Sequence, residues 1–312
     1  MKRICRGGDH LEMQKKTVDA GVSGGEGGEG ITCGGCGTPV SMVLDDDHHH
    51  VHMDLQELPE GCIAKVVSLT TPRDACRFSA VSKSFMSAAD SDAVWDKFLP
   101  PDIPSILSHS SSSSSSTSSS SKKKLYFTLC ENPVLVDDGK MSFTLDKWSG
   151  KKCYMISPKD LIIIWGDNPE YWKWISLANS RFEEVAALVV VWWLDIRGKI
   201  DTRILSPSTV YKAYLVFMLS ERARGFDRDD PSEVKIGFFG KEETSSKRTV
   251  FLGQERSRKK RPDGWLEVEI GEFFCPGEED GGLMEMTCRD FDIHRMKRGL
   301  IVQGIEVRPK RV

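Results

Sequence analysis

The sequence has no long hydrophobic run. Its most apolar stretch, around Ala186–Leu194, falls far short of the ~20 residues a membrane-spanning helix needs. The opening residues MKRICRGGDHLEMQKK carry charge but no apolar segment, so no secretory signal is expected. Basic charge is not in excess. With 43 Lys+Arg against 46 Asp+Glu, the net charge is −3, whereas a general nucleic-acid binder would be clearly basic. Neither a membrane nor a nucleic acid is therefore expected as a partner. The nine cysteines are odd in number and scattered, which argues against a disulfide framework. Reduced thiols and a cytoplasmic or nuclear location are expected.

Metal and catalytic signatures are also scarce. Cys33-Gly-Gly-Cys36 is half of a zinc-ligand pattern, but no second pair accompanies it, and only His48–His50 and His52 lie near. No cysteine has the His and acidic context of a thiol catalyst. No metal and no cofactor are expected.

The residues that are present fall into distinct stretches. Residues 1–53 are rich in Gly, Asp and His, and their low apolar content predicts disorder. Residues 54–101 read as three short helices. Pro59 suits the first turn of the first, because its missing N–H has no helical partner there. Ile63, Val66 and Val67 share one face. Thr71-Pro72-Arg73-Asp74 starts a second helix, with Thr71 capping and Asp74 answering it. Ser91-Asp92 opens a third, carrying Val94, Trp95 and Phe98, and Pro100-Pro101 ends it. The Ser110–Ser121 run predicts a flexible tether over 102–124. A connecting segment over 125–151 is expected to pack on the β-rich remainder of the chain.

Some 40–50 residues of helix is near the size at which a lone core is marginal. The apolar residues Leu58, Pro59, Ile63, Val67, Val81, Val94, Trp95 and Phe98 are the candidates for a face that a partner completes. The alternative is an ordinary helical cap on the β domain. In order and spacing, Leu58-Pro59, Thr71-Pro72-Arg73-Asp74, Val81-Ser82 and Val94-Trp95 resemble an F-box. That resemblance implies docking on a Skp-type adaptor and, through it, on the cullin and RING subunits of an SCF ubiquitin ligase, with Pro72 among the docking residues. Met86, Ser82 and Cys76 depart from the usual pattern.

Residues 152–312 change to short β-branched runs. Expected strands are Leu161–Trp165, Val185–Ile196, Val210–Leu219, Val234–Phe239, Trp265–Ile270 and Ile301–Arg308, with a turn at Asp195–Lys199. In Trp265–Ile270, Leu266, Val268 and Ile270 should point inward, and Glu267 and Glu269 outward. The fold class is therefore α+β multidomain, the small helical module preceding an antiparallel, jelly-roll-like β-sandwich.

Two clusters in this half suit a ligand. Trp165-Gly-Asp-Asn-Pro-Glu-Tyr-Trp172 places two indoles around a turn, where they would form walls of a shallow cleft for an amphipathic ligand such as a sugar, or else belong to the core. Glu272 and Glu279 flank an acidic Gly/Pro loop and could accept hydrogen bonds from sugar hydroxyls, or simply be solvated. A carboxylate pair also admits glycoside hydrolysis, although nothing in the sequence calls for a raised pKa. The run Arg256–Pro262 is either a nuclear import signal or a solvated basic loop.

The segments DLIIIWGDNPEYWKW, VAALVVVWWLDIRGKI, YKAYLVFML, DGWLEVEIGEFF and KRGLIVQGIEVRPKR resemble the phloem protein 2 domain of the tobacco-type lectins. That resemblance implies binding of N-acetylglucosamine oligomers or N-glycans through Trp165, Trp172, Glu272 and Glu279. The order of F-box, tether and lectin-like domain is similar to the plant F-box proteins of the phloem protein 2-B type. It implies a non-catalytic receptor for a glycoprotein or other target.

Overall fold

The computed structural model describes residues 58–108, 110, 121–227, 229–241, 243, 245–277 and 279–311. The expected disordered segment 1–53, with Cys33 and Cys36, and most of the Ser run lie outside the described residues.

Four helices, not three, occupy the first stretch: α1 (Glu60–Ser68), α2 (Pro72–Phe78), α3 (Lys83–Asp90) and α4 (Asp92–Phe98). Pro59 is the N-cap of α1, one residue ahead of its expected place. At α2, the Thr71 hydroxyl accepts from the Asp74 amide at 3.2 Å and donates to the Asp74 carboxylate at 2.7 Å, with Pro72 at the first helical position. The additional helix, α3, is started by Ser82, whose hydroxyl accepts from the Phe85 amide at 3.3 Å. Its buried side is Phe85, Ala88 and Ala89, one large side chain and two small ones.

Helices also stand at both ends of the expected tether: α5 (Ile103–Ser108) and α6 (Lys122–Glu131). The second joins the helical module to the β domain. Trp95 is fully buried, and its ring meets Phe98, Tyr126 and Phe127 at centroid distances of 5.5, 5.1 and 5.3 Å. The Tyr126 hydroxyl donates to the carbonyl of Asp146 at 3.2 Å. At Gly150, with φ +69°, an added Cβ would fall 2.8 Å from the Phe98 carbonyl oxygen, so the 146–151 loop can lie against α4 only with glycine there. Both parts belong to one compact unit, His52–Val312.

The β domain is a two-sheet sandwich in which every strand pairing among the described residues is antiparallel. Its strands are β1 (Val134–Val136), β2 (Met141–Leu145), β3 (Lys152–Ile156), β4 (Ile162–Ile163), β5 (Trp172–Ile175), β6 (Val185–Leu188), β7 (Leu194–Asp201), β8 (Thr209–Arg224), β9 (Ser232–Phe238), β10 (Ser246–Val250), β11 (Lys259–Lys260), β12 (Leu266–Cys275), β13 (Leu283–Asp290) and β14 (Arg298–Pro309). One sheet runs β1-β2-β3-β14-β8-β12-β11, with β6 on β14 and β5 on β6; the other runs β10-β9-β13-β7-β4.

Three expectations change here. The strand expected over Leu161–Trp165 shrinks to two residues, and Val185–Ile196 breaks in two around Trp192 and Trp193. Asp195–Lys199, expected as a turn, is central strand. Its charges are satisfied in place, since the Asp195 carboxylate accepts from Arg197 at 2.6 Å and from Arg289 at 3.2 Å. Glu267, expected to face solvent, is 5% exposed because Arg261 and Arg308 cover it.

Candidate functional site

The sequence-derived residues separate into three environments. In the helical module, Ile63, Val67, Pro72, Val94, Trp95 and Phe98 are buried within the chain itself, so they form its core rather than its surface. Leu58 is half-buried, while Pro59 and Val81 are exposed, Val81 by 60%. The same module exposes Val66, Leu69 and Met86 by 52, 76 and 48%. Sequence periodicity finds the apolar residues. It does not say which of them the neighbouring helices already use.

The two tryptophans of the Trp165–Trp172 turn part company. Trp172 begins β5 and is 2% exposed, deep in the core, with its indole N–H unpartnered among the described residues. Trp165 is 44% exposed and sits at φ +58°, a left-handed conformation costly for a bulky residue. The turn is held by the Asn168 amide donating to the Trp165 carbonyl at 3.0 Å and by the Tyr171 and Trp172 amides donating to the Asn168 carbonyl, both at 3.0 Å. The ring so presented meets Tyr171 at 5.3 Å and Trp193 at 5.4 Å, and Trp193 meets Phe291 at 5.9 Å.

Register explains this row. Leu194 pairs with Asp290 at one end of the second sheet, so the residue before one and the residue after the other, Trp193 and Phe291, emerge side by side. Trp193 and Phe291 are 38 and 52% exposed. The Lys297 ammonium underpins the row. Fully buried, it donates to the carbonyls of Trp192 and Asp292 at 2.8 Å and of Arg295 at 3.1 Å, and pairs with Asp290 at 3.2 Å. Spacing in the sequence offers no signal for Trp193, Phe291 or Lys297, which only strand pairing brings together.

Glu272 and Glu279 lie elsewhere. Glu272 is on β12, exposed, and pairs with Lys310 at 3.0 Å; hydrogen bonding to Lys310 holds its carboxyl below the usual range. Val191, two residues before Trp193, bridges Lys297, whereas Lys310 lies just beyond the end of β14. At ~3.3 Å per residue, those two points on the strand are roughly 30 Å or more apart. Glu279 is exposed in the turn after β12, in a loop whose Gly282 lies against Thr202, at the far end of β7 from Trp193. The four residues do not share one cleft. Trp165 shares its face with Tyr171, Trp193 and Phe291 instead.

The thiols of the buried and half-buried cysteines are muted, whereas Cys62 and Cys76 are exposed. Burial pushes the thiols of Cys130 and Cys288 up to about 12 and raises that of Cys153 well above its ordinary value. Among the described residues, no group of His, Cys, Asp and Glu side chains is placed to hold a metal ion. No described helix is long and apolar enough to cross a membrane. The Arg256–Pro262 run is no simple loop, because Lys259–Lys260 form β11 and the half-buried Arg261 pairs with Glu306 at 2.6 Å.

A short helical module followed by an antiparallel β-sandwich is the two-part build of an F-box protein with a lectin-like domain, and comparison with known proteins agrees. The model of the F-box domain matches residues 55–97, and that of phloem protein 2 matches 151–309. Two similar proteins of Arabidopsis thaliana are F-box protein At2g02240, 47% identical over 81% of this chain and 79% of that protein, and F-box protein PP2-B10, 45% identical over 81% and 93%. The chain belongs to the plant F-box proteins of the phloem protein 2-B family. Among solved structures, TmCBM61 in complex with β-1,4-galactotriose overlaps 48% of this chain and 87% of that one, with 9% identity and a TM-score of 0.29, too loosely to bear on fold or ligand.

Proposed function

We propose that this protein is the target-binding subunit of an SCF-type ubiquitin ligase and is not itself catalytic. The helical module docks a Skp-type adaptor, which connects it to the cullin and RING subunits. The β domain holds a glycoprotein or other glycan-bearing target, and ubiquitin transfer gains from the proximity and raised local concentration that this bridge creates. The observation that carries the reading is the presence in one compact unit of an F-box with unpartnered apolar side chains and a phloem protein 2 domain with an exposed aromatic row.

The exposed residues Pro59, Val66, Leu69, Val81 and Met86, with Leu58 beside them, make the docking face; the buried residues of the set act by holding that face in shape. Pull-down with the adaptor from the full chain tests this. The pair Leu69→Asp and Val81→Asp should abolish capture while leaving the melting temperature within about 2 °C, because both side chains are exposed. Undiminished capture by that variant would place the adaptor elsewhere.

On the β domain, Trp165 and Trp193 offer flat apolar faces with indole donors, the chemistry that stacks on a pyranose ring. Backbone strain at Trp165 supports the assignment, because a left-handed tryptophan persists only where its surroundings impose it. The second reading is a lectin that acts without ubiquitination. It predicts glycan retention with no adaptor capture by the unaltered chain.

A further inference from the structure

A second concave region lies on the outer face of the first sheet, far from the aromatic row. It is a cleft of about 640 Å³, within the range of small-ligand sites. Its floor is an ion network. Glu306, 4% exposed, accepts from Arg261 at 2.6 Å and Arg308 at 2.7 Å and pairs with Arg181 at 2.9 Å. Glu267, 5% exposed, accepts from Arg308 at 2.6 Å and Arg261 at 3.1 Å. Within the cleft, three guanidiniums thus share two buried carboxylates. Asp263 touches Arg261 from outside the lining, more loosely at 3.4 Å and with its side chain 36% exposed. Lys259, exposed on β11 at the rim, adds a further positive charge, with no ion-pair partner among the described residues. The other basic residues of the lining are spoken for: Lys212 by Glu269 at 2.8 Å, Lys310 by Glu272 at 3.0 Å, Lys147 by Glu131 at 3.3 Å and Arg311 by Asp146 at 3.2 Å.

The guanidiniums are fixed before any ligand arrives. The carboxylates anchor them from below, and Arg308 lies 3.8 Å over the Tyr214 ring. Each guanidinium has five N–H donors, more than these contacts use. Fixed planar donors in a lining with an excess of positive charge match a tetrahedral oxyanion. The cleft has room for the body of a small ester beyond it, with Tyr214 as one apolar surface.

We propose that this cleft binds the phosphate or sulfate group of a small saccharide ester, through Arg181, Arg261, Arg308 and Lys259. The site is independent of the aromatic row and of adaptor docking. Isothermal titration of the full chain at low salt, with glucose 6-phosphate, glucose 6-sulfate, inorganic phosphate and glucose as probes, tests it. Saturable binding of at least one ester is expected, with glucose silent and with affinity falling as salt rises. The relative strength of the two esters identifies which anion the site takes. Lys259→Gln, which removes the charge without setting a carboxylate opposite Glu267 on the paired strand, should weaken binding at least about threefold with melting nearly unchanged, since the Lys259 side chain is exposed and has no ion-pair partner among the described residues. The proposal is overturned if neither ester saturates up to about 10 mM, a limit weaker than a millimolar Kd. Unaltered affinity in the Lys259→Gln variant overturns it equally, as does inorganic phosphate binding more tightly than both sugar esters.

Discussion

Trp165 and Trp172 are the same residue type, seven positions apart around one turn, and the fold treats them oppositely. Trp165→Ala should lower affinity for an N-acetylglucosamine oligomer about tenfold, with thermal stability nearly unchanged, because the ring already faces water. Trp172→Ala should cost about 3–5 kcal/mol in urea unfolding, since it empties a filled part of the core. A variant pair in which both lose binding without losing stability would contradict this placement. Which of two aromatic side chains faces outward is not legible in such a turn, because it has no period from which to read a face. Glu306 gives a second prediction. Burial alone would raise its carboxyl, but the charges of Arg181 and Arg261 outweigh burial and hold it at about 2, below its ordinary 4.5. A depressed carboxyl stabilises the fold above its unfolded pKa, and that contribution is lost as pH falls through the folded one. Stability should therefore decline between about pH 4.5 and 2, by about 3 kcal/mol from this group. Urea titrations across that range should show a shallower loss in Glu306→Gln, whose starting stability is lower.

Strands are legible where apolar residues alternate over a long span, as in β8, β12 and β14, and illegible where a tertiary partner decides. Asp195 and Arg197 suggest a turn by composition, yet they sit within β7 because a salt-bridge cluster supplies their partners. The helix at Lys83–Asp90 leaves little trace because two alanines do the packing that larger side chains would advertise. The aromatic row is likewise a product of pairing between β7 and β13. Its weak point is the segment joining them to Lys297. Lys297→Met keeps the unbranched apolar stem but removes the ammonium, leaving three carbonyls and half of Asp290's neutralisation behind. A loss of about 3 kcal/mol is expected, the low end for a broken buried pair, because Arg295 still holds Asp290 at 2.8 Å. Hydrogen exchange should quicken first around residues 191–193 and 291–297, and glycan affinity should fall with it. Exchange unchanged there would mean that the row is held by its own ring contacts.

At the scale of the molecule, the sequence suggests two modules on a string, because a serine run separates them. The described residues show instead that α6 carries Tyr126 and Phe127 from the far side of that run into contact with Trp95, and that Lys123 and Lys152 reach back to Asp90 at 2.5 Å and Asp102 at 2.8 Å. An F-box of this size would be marginal alone. Sharing an aromatic core with the sandwich gives it the burial it lacks and fixes the orientation of the β domain relative to the helical module. Calorimetry of the full chain should then show one cooperative transition for helices and sandwich together. Trp95→Ala, which removes the centre of the shared core, should lower stability by about 3–5 kcal/mol and cost adaptor capture even though Trp95 lies inside the module. Two separate transitions in the unaltered protein, with only the lower one moved by Trp95→Ala, would show that the modules fold independently and that target orientation is left to the linker.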